Sequence, residues 1–313
     1  MTKVLRFSVV CMYAVIAPML AFSPASAANA QQSFKTANAA VDALISAARS
    51  SDKKALIEVL GRGSSDIISS GDSVADAASY KRFVSAFDAK HQLSLEGDNK
   101  AIMIIGNEDY PFPIPIVRTH ETWRFDSSAG REEIVFRRIG RNELDTIQTC
   151  LAYIDAQNEY ADGDRTGAGK GIYAQRIISS PGKKDGLYWP DVQGEQQSPL
   201  GAFVAEATRQ GYRVGAGRIP YHGYYFKILT KQGSAAPGGE LDYVVNGKMI
   251  GGFGLVAYPA QYRNSGVMTF IVNQVGQVYQ KDLGPHTSAI AEKLSSFNPD
   301  KTWKMTKATA PSQ

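Results

Sequence analysis

The sequence is short of the residues that most often announce a reaction. It holds two cysteines and four histidines among 313 residues. Cys11 lies in an N-terminal apolar segment that reads as removable, which leaves Cys150 alone and excludes an intrachain disulfide. His91, His120, His222 and His286 are scattered, with no His-Glu-x-x-His pair, and no Gly-x-Ser-x-Gly elbow occurs. A surplus of one charge is lacking too. Thirty-four basic against thirty acidic side chains give +4, too little to track phosphates, so nucleic acid is not an expected partner. Beyond the N-terminus no apolar run approaches the roughly 20 residues that a membrane helix needs. No transmembrane segment is expected in the mature chain.

What is present is globular. Hydrophobic residues make up 43% and charged residues 20%, enough apolar surface to build a core. At roughly 150 residues per domain the length suggests two. Lys3 and Arg6 precede an uncharged stretch from Phe7 to Phe22, and Ala25-Ser26-Ala27 supplies small residues where a signal peptidase cuts. Residues 1–27 therefore read as a secretory signal, and the mature protein as periplasmic or secreted. Losing Lys3 and Arg6 takes the charge from +4 to +2.

Periodicity then divides the chain. Residues 33–48, Asp52 to Leu60 and Asp76 to His91 carry helical spacing. Leu93–Glu96 and Ala101–Ile105 read as strands around a Gly97-Asp98-Asn99 turn, and Pro111, Pro113 and Pro115 belong at a sheet edge. Glu121–Asp126 and Glu132–Ile139 read as a hairpin turning at Ser127–Gly130. Helices followed by a curved antiparallel sheet predict an N-terminal α+β domain over 28–141, cystatin-like or NTF2-like in outline. A second α+β domain is expected over 142–303. Asn142 and Asp145 resemble a capping box, and Leu144, Ile147, Leu151 and Ile154 form a stripe through Tyr160, with Cys150 at its edge. Ser198-Pro199 opens a further helix, and a meander follows with Asn246-Gly247 as a type I′ turn. Residues 304–313 read as a polar, flexible tail.

Candidate chemistry is sparse. Gly169-Lys170 lacks the first Gly and the Ser or Thr of a phosphate loop. Asp162-Gly163-Asp164-Arg165-Thr166-Gly167 opens like a calcium loop, with oxygen ligands at alternate positions and Gly at the sixth, but Tyr173 stands where the bidentate Glu belongs. Asp155 and Glu159, spaced i, i+4 upstream, complete a possible calcium set with Asp162 and Asp164. Arg137, Arg138 and Arg141 with Glu143 read either as a domain-junction ion-pair cluster or as a site for an anion or a glycan, because guanidinium matches carboxylate in two-pronged fashion. Trp189, Tyr188, Tyr221 and Tyr224 are core or a sugar-facing platform, and His222 adjoins them in sequence.

Several segments carry a resemblance. Arg137-Arg138-Ile139-Gly140-Arg141-Asn142-Glu143-Leu144, Asp155-Ala156-Gln157 with Glu159-Tyr160, Asp185-Gly186-Leu187-Tyr188-Trp189-Pro190, and His222-Gly223-Tyr224 with Phe226 resemble a bacterial secreted family catalogued as domain of unknown function 2950. That resemblance implies location and fold more than chemistry. The second half also resembles the globular heads of type IV pilins and type II secretion pseudopilins, through Ala156-Gln157-Asn158-Glu159-Tyr160, Gly223-Tyr224, and Phe253 with Ala257-Tyr258-Pro259. It lacks the apolar leading helix that packs a pilin filament.

Two functions follow as expectations. The first is a non-enzymatic envelope or secreted protein that binds an envelope protein or a glycan, with no catalytic residues and no cofactor except calcium at the loop above. The second is a cell-wall or polysaccharide hydrolase using two of Glu133, Glu143, Asp155 and Glu159, which would need to converge on a groove.

Overall fold

In the computed structural model, residues 31–213 and 218–309 are described. The segment expected to be a signal, with Cys11, lies outside the described residues.

Capping side chains set the N-terminal helices. Thr36 accepts from Ala39 N and starts α1 (Ala37–Ser50), and Asp52 starts α2 (Lys53–Leu60). The short α3 (Ser65–Ile68) follows, and Asp72 caps α4 (Ser73–Ala89). Each cap satisfies backbone N–H groups that the first helical turn leaves free. An antiparallel sheet comes next: β1 (His91–Leu95), β2 (Lys100–Ile105), β3 (Tyr110–Pro111), β4 (Ile116–Thr119) and β5 (Thr122–Phe125), in the order β1-β2-β4-β5 with β3 also on β2. Strand alternation points Ala101, Met103 and Ile105 inward, where they meet Leu44, Val59 and Leu60 of α1 and α2 in a first core.

The expected hairpin is corrected here. Its first strand pairs backward, as β4 with β5. Its second strand does not exist. Asp126 caps α5 (Ser127–Asp162), a single helix of 36 residues, roughly 54 Å long. Within it Glu133 and Arg137 pair one helical turn apart at 2.5 Å. Gly130, read as a turn, instead lets the helix start approach the sheet: a Cβ there would lie 2.5 Å from the Pro113 carbonyl oxygen. The Asn142 cap is corrected for the same reason, because Asn142 is mid-helix and donates to Ser265 O at 2.8 Å. The 141/142 boundary thus falls inside α5.

After α6 (Gly201–Gln210) come β6 (Tyr224–Leu229), β7 (Lys231–Gln232), β8 (Leu241–Asp242), β9 (Val244–Val245), β10 (Lys248–Met249), β11 (Gly254–Pro259), β12 (Met268–Asn273) and β13 (Gln277–Asp282). The chain closes with α7 (Thr287–Lys293), β14 (Ser296–Phe297) and β15 (Lys304–Thr309). Asn246 and Gly247 both have positive φ between β9 and β10, as a type I′ turn requires. The main sheet runs β15-β13-β12-β11-β6, all antiparallel. Its central strands are buried on both faces. Leu255, Ala257, Phe270 and Val272 face α5 in a second core, while Val256, Tyr258 and Ile271 face α7 in a third. Residues 304–309, read as tail, are the edge strand β15, and its lysines suit a solvent-facing edge.

The buried face of α5 carries Thr146, Cys150, Tyr153, Ile154, Gln157 and Tyr160. Cys150 sits at the centre of this stripe, not at its edge, and Leu144 is 66% exposed. The architecture is α+β, with α5 running from the first core to the second. Among the described residues no helix is long and apolar enough to cross a membrane.

Candidate ligand site at the junction of the two cores

The Arg137–Leu144 segment occupies the middle of α5, and successive turns reach different partners. Arg138 is partly buried. It donates to the carbonyls of Asp66 and Ile67 and to Asn264 Oδ1, each at 2.5 Å. It therefore terminates α3 and ties α5 to the loop after β11. Burial lowers its pKa, and the carboxylates of Asp76 and Asp66 work in the opposite direction. Glu143 Oε1 accepts from the backbone N–H groups of Val267 and Met268 at 2.9 and 3.0 Å. Arg137 pairs with Glu133 and lies 4.7 Å over the Tyr110 ring.

Just beyond this segment of α5, Asp145 meets His222. Tyr221 and Tyr224 bond to each other's backbone around His222 and Gly223, both with positive φ, so the sequence makes a second tight turn of type I′ form. Only glycine fits after the histidine, since a Cβ on Gly223 would lie 2.6 Å from Asn142 Nδ2. The turn aims the imidazole at α5, where Nδ1 faces Asp145 Oδ2 at 2.7 Å and Nε2 faces Gln210 Oε1 at 3.1 Å. Neither ring nitrogen faces a hydroxyl or thiol, so there is no nucleophile–base pair here. Below the turn, the buried Asp72 accepts from Tyr212 Oη at 2.8 Å and from Gly223 N at 3.0 Å. Burial, then the Asp72 charge, raises the Tyr212 pKa, while burial, then Asp145, raises Tyr221 to about 12.

Two spaces that share part of their lining open beside this network. One is a largely apolar cavity of about 360 Å³ between α1, α2, α4 and the first sheet, with Leu44, Leu56, Phe83, Ile105, Phe112 and Ile134 in its wall. The other is a polar cleft of about 290 Å³ that includes Asp145, Gln210, Tyr212 and His222. Asp76, Ser79, Arg82, Arg138 and Arg141 line both. Asp76 is buried and engaged by Lys53, Ser69 and Ser70. Arg82 makes one side-chain bond, to Ser79 Oγ at 2.9 Å. Among the described residues Arg141 makes no hydrogen bond or ion pair. Burial and then the like charge of Arg141 depress the Arg82 pKa, with Asp145 opposing.

The other sequence candidates lie elsewhere. Tyr224 is fully buried and donates to Met268 O at 3.0 Å. Trp189 is 5% exposed and donates to Gln196 O. Both belong to the second core. Asp155, Glu159, Asp162 and Asp164 lie near the end of α5. There the Arg165 side chain folds under the loop, donates to Glu159 O and lies 5.9 Å from the Trp189 ring. Among the described residues no group of three or more His, Cys, Asp or Glu could hold a metal ion, so calcium rests on the loop's sequence alone. Sequence reasoning missed Arg82, Asp72, Gln210 and Tyr212. Asp72 carried a signal, a cap directly after Gly71, but Arg82 looked like any solvent-facing arginine on a helix.

The family model described as protein of unknown function (DUF2950) matches residues 31–306, and the chain belongs to that family. No curated protein and no solved structure matches it significantly, so the pilin likeness gains no support from that side.

Proposed function

We propose that the protein is exported by its N-terminal signal and acts in the periplasm or outside the cell as a non-enzymatic binding protein, with the junction cavity and cleft as its ligand site. One observation carries this reading. An apolar cavity and a polar cleft share a wall on which, among the described residues, Arg82 and Arg141 have no carboxylate partner within ion-pair distance. Ligand sites are typically concave and mostly apolar, with a few convergent polar groups. The carboxylates of the hydrolase reading do not meet that description. Glu133 is paired with Arg137, Glu143 holds backbone N–H groups, and none of Glu133, Glu143, Asp155 and Glu159 lines the cavity or the cleft.

The test is a melting screen of the purified protein against envelope glycans, peptides and small amphiphiles, run beside a cell-wall hydrolysis assay. Stabilisation by one ligand class without product release supports binding. Released sugar or peptide product, abolished by Glu143→Gln or Asp155→Asn, overturns it.

A further inference from the structure

We infer that the junction site takes a single-chain amphipathic anion, its carboxylate or phosphate head between Arg82 and Arg141 and its tail in the apolar cavity. This rests on the binding reading above and narrows it to a ligand class.

Three features select that chemistry. The first is shape. At roughly 30 Å³ per small group the cavity of about 360 Å³ admits about a dozen, the size of a medium alkyl chain. Away from the edge formed by Asp76, Ser79, Arg82, Arg138 and Arg141, its wall is built from aliphatic and aromatic side chains of the five N-terminal helices and the first sheet, with Tyr80 and Tyr110 as polar tips. A sugar would leave hydroxyls facing that wall without partners, which is costly.

The second is charge. Arg82 comes from α4 and Arg141 from α5, so the two guanidiniums are brought together by the packing of separate helices. Among the described residues neither forms an ion pair. The nearby acids do not neutralise them at contact distance: Asp76 is engaged by Lys53 and two serines, and Asp145 faces His222. Two like charges at one rim repel each other, and an anion placed between them relieves that repulsion. Guanidinium forks also match carboxylate and phosphate geometry. A cationic head would be repelled by the same two guanidiniums.

The third is position. Arg82, Arg138 and Arg141 belong to both the cavity and the cleft, so a head held there has its tail on one side and a hydrated polar space on the other. Arg138 is already fixed by three acceptors and acts as the rigid member of the wall, and Arg82 and Arg141 keep donors available.

The experiment is calorimetric titration of the purified protein with decanoate, decanol and decyltrimethylammonium. The variants are Arg82→Gln plus Arg141→Gln, and the charge-keeping Arg82→Lys plus Arg141→Lys. Expected are binding of decanoate, weaker binding of decanol and none of the cation. The glutamine pair should lose roughly tenfold or more in decanoate affinity, with partial recovery in the lysine pair. Both arginines are exposed residues, and matching melting curves verify that the variants fold. Equal binding of decanol and decanoate, or decanoate affinity unchanged in the glutamine pair, overturns the anion assignment while leaving a binding cavity in place. No binding of any of the three also overturns it, and the binding reading is then judged separately by the glycan and peptide arms of the screen. A flotation arm with phosphatidylglycerol vesicles separates the sources. Arginine-dependent flotation that decanoate competes away identifies a bilayer lipid. Decanoate binding without flotation identifies a free acid. Flotation indifferent to both arginines and to decanoate contradicts the site.

Discussion

The Asp72 carboxylate accepts a hydrogen bond from the Gly223 backbone N–H at 3.0 Å, across 151 residues of sequence. The same side chain caps α4 through Val74 N and Ala75 N and receives the Tyr212 hydroxyl. One buried acid thus fixes the start of a helix in the first core to the His222 turn beside the second. Asp72→Ala should cost about 1 kcal/mol for the cap and about 1–3 kcal/mol for the donors left without an acceptor. Urea unfolding measures the sum, and a loss under about 1 kcal/mol would show that the junction is not held here.

Two glycines predict opposite outcomes. Gly140 lies mid-helix in α5, and a Cβ added there would meet nothing within 4 Å, so Gly140→Ala should stabilise by about 0.4–1 kcal/mol. Gly266 has no such room, because a Cβ would collide with the buried Tyr224 ring and its hydroxyl. Gly266→Ala should destabilise by about 1–3 kcal/mol or more. Thermal melts of the two variants should therefore move in opposite directions.

Stability should fall in alkali. Burial raises the Cys150 thiol from 9.0 to about 12 and, with neighbouring charge or hydrogen bonds adding smaller effects, the Tyr80, Tyr221 and Tyr243 hydroxyls from 10.0 to about 12. Below about pH 9 these groups are protonated whether the chain is folded or not, and their contribution is complete. Above it the unfolded chain sheds protons first, so stability declines as pH rises toward about 12. Urea midpoints between about pH 8 and pH 11 check the slope. At about pH 8 the native thiol should not react with a thiol reagent, and it should react on unfolding.

Much of the architecture was legible because burial wrote it in simple periods. Asp52 and Gly61 bounded α2, and Asn246-Gly247 marked its hairpin. The strand pattern from Tyr224 to Asn273 was readable because one sheet is covered on both sides. The first half of α5 was not. Between Glu132 and Arg141 the helix crosses from one core to the other, so Ile134 is the apolar side chain that packs on the first core while Phe136 is 76% exposed. A helix without a steady buried stripe looks like a short alternating strand. The Arg137–Leu144 cluster stood out as basic, but the ion pair expected with Glu143 does not form among the described residues: Arg138 donates to Asn264 Oδ1, and Glu143 accepts from the Val267 and Met268 N–H groups. The ligand-facing role proposed for Arg141 also needs Arg82, whose approach to Arg141 depends on how α4 packs and leaves no mark in local sequence.

Export makes a separate prediction. If the protein is exported as proposed, the positive start, the apolar stretch and Ala25-Ser26-Ala27 predict a mature N-terminus near Ala28. N-terminal sequencing of protein recovered outside the cytoplasm should read from there, whereas recovery of an intact chain from the cytoplasm alone would contradict the location.

Amide hydrogen exchange of the purified protein, with and without saturating decanoate, tests the location of the ligand site most directly. The predicted result is slowed exchange in α4 and in α5 from about Arg131 to Asp145, with the 163–171 loop unchanged. Unchanged exchange in both helices, or protection confined to that loop, would contradict it.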